Sequence, residues 1–171
     1  MVESMGEYVD VIDEDENVIK TVPKGIARAN VDLRRGVDVF VFNSEGRLLI
    51  HKRAVIKEVS PDTWDWRVGG WVLSGEPPEE AAKREAEEEI GARNIKLKFL
   101  FKYRYKHGNE YNDISYVYKT VYDGPINIQK EEVSEYEWID IKNLMELIKK
   151  RKFTPNVEFV YENYKDKIFS K

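Results

Sequence analysis

The stretch GWVLSGEPPEEAAKREAEEEIGA, Gly70–Ala92, decides how this chain is read. Between Pro77 and Glu89 it sets six glutamates against only Lys83 and Arg84, and it then closes on glycine. Proline near the start and glycine just past the end punctuate a helix, and the spacing predicts one over Pro78–Ile90. Like charges three and four residues apart destabilise a helix. Either solvent screens the repulsion or something positive sits against it. At about 100° per residue, Glu85, Glu88 and Glu89 share one arc beside an apolar stripe of Ala82, Ala86 and Ile90. Arg84 and Glu87 point elsewhere. An acidic run is ordinarily a solvated face, but acids crowded along the border of an alanine stripe favour a cation site.

Working outward, YVDVID, a turn at EDEN and VIKTVP predict an N-terminal hairpin, followed by a short helix over Lys24–Ala29. GVDVFVF alternates, with Val37, Val39 and Val41 on one face and Asp38, Phe40 and Phe42 on the other. NSEG is a hairpin turn and RLLIHKR the returning strand. AVIKEVSPDTWDW approaches the glycine-containing RVGGWVLSGE. After the acidic helix, IKLKFLFKYRY and YNDISYVYKTVY predict two long strands around KHGN. A short strand YEWI leads to a helix over Ile141–Lys150 with Asp140 as its cap. Thr154 and Pro155 start a last helix, with Val157, Val160, Tyr161, Tyr164 and Ile168 as its apolar stripe. Central strands covered by helices give an α/β (α+β) class rather than a bundle.

The 171 residues suit one domain over 1–171, large enough to bury a core. Hydrophobic residues at 42% and aromatics at 12% are globular proportions. The chain has no cysteine, which excludes disulfides, thiolate metal sites and cysteine nucleophiles. Its net charge of −4 matches the excess within Pro77–Glu89 alone, so the remainder balances and offers no basic stripe for nucleic acid. No apolar run approaches a membrane span, and MVESMGEYVD lacks a leader pattern, so a cytoplasmic protein without membrane contact is expected. The N-terminal hairpin is a candidate surface for a homodimer.

The acidic stretch resembles the signature of the MutT/Nudix hydrolase superfamily: glycine, five residues, glutamate, seven residues, then Arg-Glu-apolar-any-Glu-Glu-any-Gly-apolar. Here these are Gly70, Glu76, Arg84, Glu85, Ala86, Glu88, Glu89, Gly91 and Ala92. Ala86 and Ala92 are small for the apolar positions. The likeness extends over roughly residues 7–148. It implies a Nudix fold, an α/β/α sandwich with a mixed central sheet. It also implies a loop–helix–loop that binds a divalent metal, Mg²⁺ or Mn²⁺, and hydrolyses a nucleoside diphosphate linked to another moiety. Glu85, Glu88 and Glu89 match the metal ligands, with the carbonyl of Gly70 as a further one. Arg84 and Glu76 match residues that orient those carboxylates. Hard carboxylate oxygens suit Mg²⁺, which keeps waters and takes substrate phosphates as further ligands.

The general base is drawn from different places in this superfamily. The candidates are a glutamate of the acidic helix, Glu131, Glu132 and Asp113. Arg53, at the end of LLIHKR, and Arg67, just before the glycines, are candidate phosphate contacts, and Trp71 is a candidate substrate contact. Trp64 and Trp138 read as core, and Trp66 reads as core or pocket wall. His51 and His107 receive no role. Residues 54–61 and 105–112 are the candidate specificity loops.

The run from the hairpin to RVGG also looks like the isopentenyl-diphosphate isomerase branch of the superfamily, which uses a cysteine and metal-binding histidines. In the matching positions stand Gly69 for the cysteine, Trp71 for one histidine and, near another, Arg34. That implies related architecture without isomerase chemistry. A third reading, a non-catalytic nucleotide sensor, has no need of a complete set of ligating glutamates.

Overall fold

The computed structural model describes residues 6–109 and 111–170, so Glu110, within one candidate specificity loop, lies outside them. The organising element is β3 (Arg34–Phe42), whose seven positions other than Arg35 and Phe42 are buried and alternate between two faces. One edge of β3 pairs in parallel with β8 (Tyr111–Val121), from Arg34↔Asp113 to Phe42↔Val121. The other edge is shared by three antiparallel partners: β1 (Tyr8–Ile12), β6 (Val68–Trp71) and β4 (Leu48–Arg53). β2 (Val18–Pro23) extends the sheet beyond β1, and β7 (Lys98–His107) pairs with β8. β5 (Trp64–Asp65) and β9 (Val133–Ile139) both pair with β4. The sheet is therefore mixed.

Alternation along β3 sorts the two cores. Val37, Val39 and Val41 pack with Leu49 and Val68 against Ala81, Ala82, Ala86 and Ile90 of α2 (Pro78–Ile90). Phe40 faces the other way, with Leu48, Ile50 and Trp66, onto α3 (Leu144–Lys150) and α4 (Asn156–Phe169). Helices thus cover both faces, and the α/β/α sandwich with a mixed sheet is what the structure contains. The alanines of α2 let its backbone approach the sheet closely. That proximity brings residues flanking the stripe into the interior as well.

The N-terminal hairpin and α1 (Lys24–Ala29) form where the sequence placed them. The Asp13 carboxylate accepts from the backbone N–H groups of Asp15 and Asn17, which closes the hairpin turn. Two local expectations are corrected. Asp140 makes no capping hydrogen bond; Ile141–Asn143 forms a 3-10 turn and α3 begins only at Leu144. Thr154 does not cap α4, because its hydroxyl is drawn to the buried carboxylate of Asp65 and to Asn156.

Trp66 is core rather than pocket wall. It is fully buried, edge-on to Phe40 at 5.0 Å between ring centroids, and contacts Tyr161 and Phe169 of α4.

Gly69 fixes the register of β6 on β3. A Cβ there would lie 2.0 Å from the backbone carbonyl oxygen of Val37, a contact that only a shift of the strand could relieve. Gly69→Ala is expected to destabilise the protein by about 3 kcal/mol. Gly25→Ala, in α1 with nothing within 4 Å of the added carbon, should be neutral or stabilising by under about 1 kcal/mol. Urea midpoints test this, and equal midpoints for the two variants would contradict the β3–β6 packing.

Candidate functional site

The acidic helix docks so that its glutamates meet two different strands. Gly70 of β6 lies against Glu85: a Cβ on Gly70 would stand 2.3 Å from Glu85 Oε1, so only glycine lets the strand come so near the carboxylate. Glu89, one turn further along α2, faces His51 of β4. The C-terminus of α2 is closed by Gly91 in the left-handed region, φ 71°, where its N–H reaches back to the last turn.

Arg84 ties this assembly together. Its Nε donates to Glu76 Oε1 at 2.9 Å and its Nη2 to Glu76 Oε2 at 3.0 Å, a bidentate fork. Nη2 also reaches the carbonyl of Trp71, and Nη1 donates to Glu85 at 2.7 Å and Glu88 at 3.3 Å. Glu76 in turn accepts from the backbone N–H of Leu73. One guanidinium therefore joins the loop after β6 to two carboxylates of the helix. Its carboxylate partners outweigh burial and hold it more firmly protonated than an ordinary arginine.

The six glutamates resolve individually. Glu79 and Glu80 pair with Lys83, Glu87 with Arg93, and Glu85 and Glu88 with Arg84. Glu89 alone has no lysine or arginine within 4.0 Å among the described residues, although it is buried. Among the described residues its Oε2 makes no hydrogen bond, and it lies 3.8 Å from His51 Nε2. His51 does not supply the missing charge, because burial lowers its pKa to about 4 and leaves the ring neutral. Burial, reinforced by the neighbouring Glu85, pushes the Glu89 carboxyl well above the usual carboxylate range. Burial also raises Glu85, against the opposing pull of Arg84. Glu88 is half exposed.

These side chains open on a cavity of about 980 Å³. On one side stand Arg53, Lys57 and Glu132. Arg53 donates twice to the carbonyl of Val59 and so holds the 54–61 loop, while Lys57 pairs with Glu132. On the other side the Arg34 guanidinium lies 3.6 Å over the Trp71 ring, with Arg28 at 5.1 Å and Lys24 at 5.9 Å. Arg34 Nε is 3.0 Å from Asp113, whose carboxyl burial raises to about 6 despite that arginine. The positions matching isomerase histidines are thus in contact, but as a stacked arginine and tryptophan. The two candidate specificity loops also meet across the cavity, Ser60 Oγ lying 3.1 Å from the Tyr111 hydroxyl.

Not every candidate converges. Glu131 is exposed and does not line the cavity. Arg67 lines the floor, but its guanidinium is held by Asp38 at 2.7 Å and by both oxygens of Asp65. Tyr103 donates to the other oxygen of Asp38 at 2.7 Å. Arg67 therefore acts first as a strut under the cavity rather than as a free phosphate contact. The sequence reading missed His51 and this Asp38–Arg67–Asp65 network. Its one signal was Asp38 itself, a charge on the strand face it shares with Phe40.

Among the described residues no group of three or more acidic or histidine side chains is placed to hold a metal ion as it stands, and Arg84 holds Glu85 and Glu88. The residue types nevertheless fit a hard divalent cation. Among the described residues the buried Oε2 of Glu89 has no hydrogen-bond partner, Gly70 is pressed onto the Glu85 carboxylate, and the donors of the acidic helix are oxygens.

Comparison with known proteins agrees with this geometry. The NUDIX domain family matches residues 32–159. An uncharacterized Nudix hydrolase of Streptomyces coelicolor is 34% identical over 157 residues, covering 91% of this chain and 87% of the relative. An isopentenyl-diphosphate Delta-isomerase of Clavibacter michiganensis is 31% identical over 145 residues, covering 81% and 75%. Among solved structures, a Deinococcus radiodurans protein superposes with a TM-score of 0.78 at 26% identity, covering 92% of this chain and 99% of that one. The chain belongs to the Nudix family. Its relatives support hydrolase activity in general and do not fix a substrate.

The folded state holds a proton on Glu89 at pH values where the unfolded chain, with the ordinary glutamate value of 4.5, has released it. Stability therefore falls as pH rises above 4.5 through this group. In metal-chelated buffer Glu89→Gln, which imitates the protonated carboxyl, should gain in melting temperature over the parent as pH rises from 4.5 to 8, with the gap smallest at the acid end. A pH-independent difference would contradict the buried, uncompensated state of Glu89.

Proposed function

We propose that the protein is a metal-dependent hydrolase that cleaves the diphosphate linkage of a nucleoside diphosphate joined to another moiety. The observation that supports this most is Glu89: a buried carboxyl with no lysine or arginine within 4.0 Å among the described residues, on the same helix as Glu85, opening on a cavity with cationic walls. Glu85, Glu88, Glu89 and the carbonyl of Gly70 would hold Mg²⁺ or Mn²⁺. When bound there, the ion supplies positive charge to the diphosphate and lowers the pKa of a water.

The chain's own residues do the rest. Arg84, anchored by Glu76, keeps the helix carboxylates aimed at one point and releases them by small movements of its fork. Arg53 and Lys57 on one wall, and Lys24 with the Arg34–Trp71 stack on the other, bias the cavity toward an anion. In the reaction a water oxygen bonds to phosphorus as the bridging P–O bond breaks; a base accepts the water's proton and the leaving phosphate carries the electron pair away. Glu132 suits the base role best, because it lines the cavity and its charge acts directly on Glu89. Asp113 lies at the opposite, Trp71 wall, held by Arg34.

Isomerase chemistry is not part of this reading. The chain has no cysteine, and at Gly69 the backbone of Val37 leaves no room for any side chain. The sensor reading has nothing in the cavity to favour it. The same reading takes 1–171 as one domain acting in the cytoplasm on a small soluble substrate. No helix among the described residues is long and apolar enough to cross a membrane.

A phosphate-release screen over diphosphate compounds with Mg²⁺ and Mn²⁺ tests the activity, and no turnover of any member would contradict it. With a substrate in hand, Glu89→Gln should lower kcat by orders of magnitude while the fold survives. Glu132→Gln should lower kcat by about 100-fold or more. Asp113→Asn should leave kcat within a few-fold of the parent. An unchanged kcat in Glu132→Gln would remove it as the base.

A further inference from the structure

Around Glu89 a second side chain shares its condition. His51 is 2% exposed, lines the same cavity, and forms no hydrogen bond through either ring nitrogen among the described residues. The buried Nδ1 forfeits its water without a partner, whereas Nε2 is not sealed from the cavity and stays open to a ligand. Its Nε2 faces Glu89 Oε2 at 3.8 Å, with that oxygen also unpartnered. The separation exceeds a hydrogen bond, so the two atoms do not satisfy each other. Something between them would satisfy both.

The spacing suggests what. Two donors about 2.1 Å from one ion lie roughly 3 Å apart when adjacent and about 4 Å apart when opposed. The observed 3.8 Å falls inside that range with both side chains as they stand. A divalent ion resting on Glu89 is therefore within reach of His51 without any rearrangement of β4 or α2. Among the described residues no lysine or arginine hydrogen-bonds that oxygen.

We infer that His51 is a nitrogen ligand of the cation held by Glu89, a site residue outside the acidic helix. The inference rests on the metal site proposed above and adds one donor to it. A mixed oxygen and nitrogen donor set changes the preference of the site: imidazole favours transition ions over Mg²⁺, whereas carboxylates alone suit the harder ion. The site is accordingly tuned toward Mn²⁺ relative to one built only from glutamates.

Mn²⁺ alone serves as the probe, with the full chain and no substrate. Pulsed electron paramagnetic resonance of the bound ion reports directly coordinated imidazole nitrogen as ¹⁴N modulation. The chain has only two histidines, His51 and His107, so labelling with ¹⁵N-histidine identifies the source without any substitution at the site. His107→Gln, at a position that does not line the cavity, should retain the signal, and His51→Gln should lose it. By calorimetry His51→Gln should weaken Mn²⁺ binding by about tenfold and Mg²⁺ binding by much less. Stoichiometric Mn²⁺ binding without histidine modulation in the parent protein, or modulation that persists in His51→Gln, would overturn the assignment while leaving the glutamate site intact. Failure of the parent protein to bind Mn²⁺ at millimolar concentration would overturn the metal site and the histidine assignment together.

Discussion

A buried carboxyl with no cation in contact among the described residues is the constraint on which the rest of this structure turns. Glu89 sits on a helix whose other five acids in the same run all have cationic partners, and it is the most deeply enclosed of the six. Desolvation of an isolated charge is expensive, and folded proteins ordinarily avoid it by pairing the group or protonating it. A site that binds a cation has the opposite need: the carboxylate must stay available. The tension is kept in place by the surrounding packing, since α2 is fixed by Ala81, Ala82, Ala86 and Ile90 against the valines of β3.

The fold serves that one helix from three directions. β6 brings Gly70 against Glu85, and its own position is set by the close fit of Gly69 on β3. β4 brings His51 to Glu89, and its pairing with β9 and β5 leads into the loops that carry Lys57 and Glu132. Beneath the cavity Arg67 is locked between Asp38 and Asp65, which gives the floor fixed charges without leaving them unpaired. Arg84 neutralises Glu85 and Glu88 from the side, and its fork on Glu76 anchors it to the loop after β6.

Much of this was legible in the sequence because it is written in local periodicity. Pro78–Ile90, the N-terminal hairpin and the alternation of Val37, Val39 and Val41 against Phe40 depend on spacing of two or 3.6 residues, and the structure contains each of them. What spacing could not show was contact between distant segments. His51 lies 38 positions from Glu89 along the chain and looked like an ordinary strand residue until β4 and α2 were seen together. Arg67 read as a phosphate contact because one of its aspartate partners, Asp38, comes from the distant β3, although the other, Asp65, is only two residues away. Thr154 and Asp140 were plausible caps by composition, but tertiary hydrogen bonding to Asp65 and a 3-10 entry prevailed over local preference.

The most direct measurement is anomalous scattering from crystals equilibrated with millimolar Mn²⁺, recorded at the manganese absorption edge. A single strong peak within coordination distance of Glu85, Glu89 and the Gly70 carbonyl, with Glu88 turned toward it from Arg84, is the predicted result. Full diffraction quality with no peak at that helix, or with manganese bound only elsewhere, would contradict the central claim that Glu89 is kept unpaired in order to hold a cation.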